Sequence, residues 1–176
     1  MIAISGSNVS VPLVLEKKDW FTEYEDSVNV QSKNNYYAGE IFQATKNYSL
    51  YYVMLKMCRD AVDPPGIVTV NLLESLAPPD KPFLPVIATG STDGDTLTTD
   101  TACEWRKVNL SPHISMVLGN YYYIGVLQAT GVYAALGLRC EGEEPEHYPN
   151  GMFARNGFPE WYVTENVDML FEAWGF

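Results

Sequence analysis

Apolar and polar positions alternate with a period of two along most of this chain, the spacing of a half-buried strand and not of a helix. The cleanest case is Ile67 to Leu73, where Val68, Val70 and Leu72 fall on one side and Thr69 and Asn71 on the other. Glu104 to Leu110 repeats the pattern: Trp105 and Lys107 point one way, while Val108 and Leu110 are placed toward the core. Leu50 to Cys58 (LYYVMLKMC) is almost wholly apolar, which predicts a strand covered on both faces. Tyr121 to Ala129 is the most β-prone run, and shorter strands are predicted over Gly39–Thr45, Gly131–Cys140, Gly151–Arg155 and Asp168–Trp174.

The punctuation between these runs is that of an all-β chain. Asp63-Pro64-Pro65-Gly66 predicts a tight bend that makes the Leu50 and Ile67 strands a hairpin-like unit, since Pro presets φ and Gly accepts the positive φ that closes a turn. Ala77 to Pro82, with three prolines, must be a loop. Ser111-Pro112-His113 reads as the start of a connection and Leu118-Gly119-Asn120 as a turn. No stretch carries a 3.6-residue amphipathic repeat, so the expected class is an antiparallel β-sandwich. Its middle is the segment from Ala88 to Leu110, which crosses a Thr/Asp/Gly-rich bend with apolar runs on both sides.

Residues 1–38 are less regular and are read as an arm or edge strand ahead of a sandwich over 39–176. Val9, Val11, Leu13 and Leu15 alternate, Pro12 confines that strand to an edge, and Glu16-Lys17-Lys18-Asp19 is expected to interrupt it. Trp20 and Phe21 follow among acidic residues. They are candidate anchor contacts on a neighbouring molecule, with coverage of one end of the sandwich as the plainer reading.

Length and charge then narrow the function. The 176 residues suffice for one domain with a real core. Eleven Lys+Arg against 22 Asp+Glu leave a net charge of −11, and no cationic run could displace counterions from phosphates, so a nucleic-acid partner is not expected. The acidic excess is read as a solubilising surface. No apolar run approaches the roughly 20 residues of a membrane helix, and Met1 to Gly6 lacks the basic start and apolar core of a signal peptide, so neither a membrane nor an exported leader is expected. The three cysteines, Cys58, Cys103 and Cys140, match no zinc spacing and are read as buried or half-buried free thiols in a reducing cytoplasm.

The order Gly39-Glu40-Ile41-Phe42-Gln43-Ala44, a Leu/Tyr/Val strand ahead of Pro-Pro-Gly, Ile67-Val68-Thr69-Val70-Asn71-Leu72, Ala88-Thr89-Gly90-Ser91, the Asp-Gly-Asp-Thr-Leu-Thr-Thr bend, Glu104-Trp105-Arg106-Lys107-Val108 and Phe171-Glu172-Ala173-Trp174-Gly175 resembles a jelly-roll module of bacteriophage virion proteins. That module is in turn similar to carbohydrate-binding modules of the jelly-roll type. The resemblance covers roughly 39–175 and implies a fold more firmly than a role. It places Trp105 and Trp174 in the core. It departs at Glu141 to Asn150, which is acidic and Pro-containing.

What the resemblance implies is a capsid decoration or head-surface protein of a tailed phage, made in the host cytoplasm and carried on the virion. Its partners would be the major capsid protein or another virion protein and sibling copies in a homo-oligomer. The rival expectation is a carbohydrate-binding module or tail attachment protein that contacts host-surface glycan, with Tyr148, Trp161 and Tyr162 stacking on sugar rings. An enzyme is not expected: His113 and His147 have no Ser or Cys beside them in a catalytic pattern. No cofactor or metal is expected either. Asp93, Asp95 and Asp100 are oxygen donors, but their spacing lacks the bidentate Glu of a calcium loop and suits backbone capping in a turn.

Overall fold

Val68, Val70 and Leu72 are completely buried and Thr69 is half-exposed, so the alternation read from Ile67 onward holds at the start of the strand, while Asn71 and Leu73 on its other face are buried as well. The computed structural model describes residues 14–22, 29–32, 37–62, 64–78, 80, 82–128, 136–141, 151–156, 161–164 and 167–176. These form β1 (Glu16–Phe21), β2 (Asn29–Ser32), β3 (Ala38–Gln43), β4 (Tyr48–Arg59), β5 (Ile67–Ser75), β6 (Pro82–Asp93), a 3-10 turn (Gly94–Thr96), β7 (Glu104–Met116), β8 (Tyr121–Gln128), β9 (Leu136–Glu141), β10 (Gly151–Asn156), β11 (Trp161–Thr164), β12 (Asp168–Met169) and β13 (Phe171–Gly175). The fold is all-β and β-sandwich-like.

Hydrogen-bonded neighbours run β1-β13-β4-β7 and then β6-β5-β8-β3-β10-β11, with β2 and β12 joined to the path through β9, which itself pairs with β4. Every pairing is antiparallel, and β6 meets β7 through a single register pair, Thr89 with Ser111. The two halves of the path close on one core. Phe42 of β3 and Phe171 of β13, from opposite halves, bring their rings to 5.0 Å, and Leu50, Val53, Val70 and Ile124 fill the same cluster.

Four expectations change. The Leu50 and Ile67 strands are not a hairpin: β4 pairs with β13, β7 and β9, and β5 pairs with β6 and β8. Pro64 to Gly66 carries the chain from one half to the other, because both strands bury alternate residues in one core from opposite sides. Periodicity does not distinguish a facing strand from a lateral neighbour. Ser111-Pro112-His113 does not begin a connection but lies inside β7. Pro112 sits in the bulge between the Asn109 and Ile114 rungs, opposite Tyr51, where its missing N–H removes no rung of the β4 pairing.

The run from Asp168 to Trp174 is two strands, β12 on β9 and β13 between β1 and β4. In the leading segment the charged run Glu16 to Asp19 does not interrupt a strand but is part of one. It belongs to β1, which lies at the end of the path as an edge. The charges fit that position: Lys17, Lys18 and a bulge between Lys17 and Asp19 discourage pairing with a foreign strand. Asp19 is buried and accepts hydrogen bonds from the Thr45 N–H and hydroxyl. Thus Glu16 to Phe21 is integral to the sandwich, while Val9 to Leu13 lie outside the described residues.

Candidate interaction face

The outer face of β1, β13, β4 and β7 is set by register. One row runs Lys17, Trp174, Tyr52, Asn109, and the next runs Trp20, Glu172, Met54, Lys107. Side chains opposite one another on neighbouring strands are the contacts from which a sheet surface is built. Trp174 stacks on Tyr52 with ring centroids 5.5 Å apart and planes 15° from parallel. The Lys107 ammonium lies 4.0 Å from the centre of the Tyr52 ring, reaching it from the strand on the other side. Glu172 accepts from the Trp174 indole N–H at 2.7 Å and from Lys17 at 3.1 Å, and Lys17 also sits 5.0 Å over Trp20.

This network holds its members in place. Cation–π and aromatic pairs at exposed sites contribute about 0.5–1.5 kcal/mol each, and rings fixed by their neighbours lose little further freedom when another surface covers them. The neighbours also occupy the rings, since Tyr52 lies between Trp174 and Lys107. Burial, with a smaller contribution from the Glu172 charge, raises the Tyr52 phenol above its ordinary value. Tyr52 therefore presents a protonated hydroxyl at neutral pH.

Trp174 is on this outer face and not in the core, where the resemblance placed it: Phe171, Ala173 and Gly175 are the buried positions of β13. Trp105 is partly buried and packs against the main core. Trp20 and Phe21 separate in the same way. Adjacent residues of a strand point to opposite faces, so Trp20 is 44% exposed while Phe21 is buried. Phe21 is a core residue and is not available as an anchor contact. Tyr52, Lys107, Lys17 and Glu172 were missed by sequence reasoning because cross-strand register decides the cluster, and each strand read alone gives only which residues share its own face.

Trp161 and Tyr162, neighbours on β11, likewise divide. Trp161 packs on a second apolar cluster built on Ile41, Leu73, Tyr123 and Ala154, stacking near Tyr37 at 6.2 Å and meeting Tyr123 edge-on at 5.3 Å. Asn71, expected to face outward, points away from the main core but is buried, and donates to the Tyr37 hydroxyl at 2.9 Å. Tyr162 is 50% exposed, with the Arg155 guanidinium 5.8 Å from its ring centre. Tyr148 and His147 lie outside the described residues.

Tyr123 is fully buried and donates to the Ala154 carbonyl at 2.9 Å. Burial first, then the charge of Glu40 and the neighbouring Tyr37, push its phenol well above the ordinary 10.0. The native protein thus keeps a proton that the unfolded chain releases near pH 10. This contribution to stability is complete below pH 10 and is lost as pH rises toward the native value. The expected slope from this group is about −1.4 kcal/mol per pH unit above pH 10. Denaturant titrations at a series of alkaline pH values should show it, and Tyr123→Phe should remove it.

The aspartates of the bend serve backbone. Asp93 accepts from the Asp95 N–H at 3.0 Å, Asp95 from the Gly66 N–H at 2.6 Å and Asp100 from the Ala102 N–H at 2.9 Å. His113 stacks on Tyr51 at 3.7 Å, with Phe176 edge-on to the same tyrosine. The cysteines depart from the free-thiol expectation: Cys58 and Cys103 form a disulfide with Cα atoms 4.4 Å apart, and Cys140 is a buried thiol. They meet because Met57 and Glu104 are the end pair of the β4–β7 ladder, which puts the next residue of β4 beside the residue preceding β7. Compared with models of known protein families and with curated proteins, the chain matches none of them.

Proposed function

We propose that this chain is a non-enzymatic structural protein of a tailed-phage virion, a jelly-roll module that sits on the capsid surface as a decoration protein. It docks on the major capsid protein, or on sibling copies, through the outer face of β1, β13, β4 and β7. The strand order supports the jelly-roll reading. Counting β1, β3, β4, β5, β6, β7, β8 and β13 in turn, the two layers run first, eighth, third, sixth and fifth, fourth, seventh, second. Those are two interlocked Greek keys, an architecture used in viral capsids and in lectins. In this reading β2 and β9 to β12 are insertions.

The observation that carries the role is the ladder of Lys17, Trp20, Glu172, Trp174, Tyr52 and Lys107. Protein interfaces are rich in Tyr and Trp, and the residues that dominate their binding energy are rigid aromatics at well-packed positions. A pyranose platform would need free ring faces, whereas Tyr52 is taken by Trp174 and Lys107. Of the stacking candidates read from the sequence, Trp161 is packed against Tyr37 and Tyr123, and the exposed Tyr162 has the Arg155 guanidinium near its ring.

Co-sedimentation with emptied particles of the tailed phage that encodes the chain tests this reading. Wild-type protein is expected to pellet with particles, and the double variant Tyr52→Ala/Trp174→Ala to bind about thirtyfold more weakly, as for loss of a hot spot. A thermal melt of the variant verifies its fold. Wild-type protein that stays in the supernatant, or a folded variant that binds as wild type does, would refute it.

A further inference from the structure

We propose that the ladder face takes a partner surface that presents a carboxylate, and that Lys107 is the residue that selects it. This inference rests on the docking role given above and names the chemistry of the surface that fits there. Lys107 is exposed, and its ammonium lies 4.0 Å from the centre of the Tyr52 ring, so a partner that covers the Tyr52 and Trp174 platform also covers that charge. Burying a cation without an acceptor is strongly unfavourable, so the partner has to bring one.

Nothing on the face itself neutralises Lys107. Its neighbours there are Met54, across the β4 rung, and Trp105 and Asn109, two positions away along β7, all of them uncharged. The Tyr52 hydroxyl is protonated and supplies no counter-charge. Glu172, the carboxylate of the two rows, is already engaged by the Trp174 indole at 2.7 Å and by Lys17 at 3.1 Å. Lys17 thereby has its counter-charge, and Lys56, opposite Trp105, is buried. Among the described residues Lys107 makes no ion pair and no hydrogen bond, which leaves its N–H donors for a partner.

A carboxylate answers that need better than a neutral acceptor. Hydrogen bonds between charged groups are roughly twice as strong as neutral ones, and an ammonium already resting on a ring gives up less side-chain freedom on pairing than a lysine in open water. The chain carries a net charge of −11, so an acidic partner is repelled over most of the molecule and accepted where Lys107 stands, which fixes its orientation. Two copies meeting through this face about a two-fold axis would each bring a Lys107 and a Glu172 that is already engaged, with no carboxylate to spare. The occupant that fits is an acidic patch on a different protein of the particle.

Binding of the full chain to emptied particles, before and after the particles' surface carboxylates are amidated with carbodiimide and ethanolamine, tests the assignment. Lys107→Met keeps an apolar stem beside Tyr52 and drops the charge. It should bind untreated particles about tenfold more weakly than wild type, near the low end for a close charge pair across an interface. On amidated particles that difference should vanish. Loosened packing around Tyr52 would not give this result, because a packing defect persists whatever charge the partner carries. The substitution alters an exposed side chain, and a thermal melt verifies the fold. Wild type that ignores untreated particles refutes the docking role and this inference with it. Wild type that binds while Lys107→Met binds equally well, or a difference that survives amidation, overturns this inference alone and leaves the docking role standing.

Discussion

Gly39→Ala is expected to destabilise the protein by about 3 kcal/mol, at the upper end of what overpacking a core usually costs, and to lower the melting temperature by roughly 10 °C for a chain of this size. Gly39 lies in β3 between Gly125 of β8 and Ala154 of β10. A Cβ there would stand 1.8 Å from the Ile124 carbonyl oxygen, 2.8 Å from its carbon and 2.9 Å from the Gly125 Cα. All three are backbone atoms of the neighbouring strand, so no rotamer change relieves the clash. β3 must be pushed away from β8, along a ladder that also positions Ile41 and Phe42. Gly119→Ala is the control. Gly119 has φ of +85° and nothing within 4 Å of an added Cβ, so alanine there meets only left-handed backbone strain, about 1–2 kcal/mol. Thermal or urea unfolding of the two variants decides the matter: equal losses would mean that β3 and β8 do not approach as closely as described.

Gly39 also marks how far the sequence could be read. It opens the run Gly39 to Ala44, which is a strand as expected, yet nothing in that run says that its first residue touches the backbone of a strand more than 80 positions later. Burial periodicity is local, and it served well where one face meets the core, as in Val108 and Leu110 of β7, but less well in β5, whose Asn71 and Leu73 are buried on the other face. Lateral pairing is not local. It misassigned β4 and β5 as a hairpin and Pro112 as a break, because the deciding partners, β13, β6 and the bulge opposite Tyr51, lie far away in sequence. The same limit governed the surface. Trp20, read as a candidate anchor contact, is exposed, but Phe21 beside it is buried, as the alternation of their own strand requires. The ladder Trp174, Tyr52, Lys107 joins three strands, so only the assembled sheet reveals it.

Opening the Cys58–Cys103 disulfide is expected to cost about 4 kcal/mol of stability by the loop-entropy relation, toward the upper end of measured values for such bonds. The bond closes a loop across a sequence separation of 45, a loop that contains all of β5 and β6. Native contacts already bring its ends together, through the Met57–Glu104 rung, the Arg59 N–H to the Thr98 carbonyl at 2.9 Å and Arg59 Nε to the Leu97 carbonyl at 3.0 Å. The bond therefore acts mainly on the unfolded chain, whose freedom it reduces, and the folded β4–β7 ladder should persist without it. Cys58→Ser/Cys103→Ser should melt roughly 10 °C lower while retaining the β-sheet circular dichroism signal, and wild-type protein in dithiothreitol should match it. Thiol titration of the denatured, unreduced chain should count one reactive group, Cys140. Three groups would mean that the bond does not form. An unchanged melting temperature on reduction would mean that the unfolded chain is already held compact by other contacts. A reducing compartment would keep such a bond open, so under the proposed virion role the bond would add this stability only once particles are released.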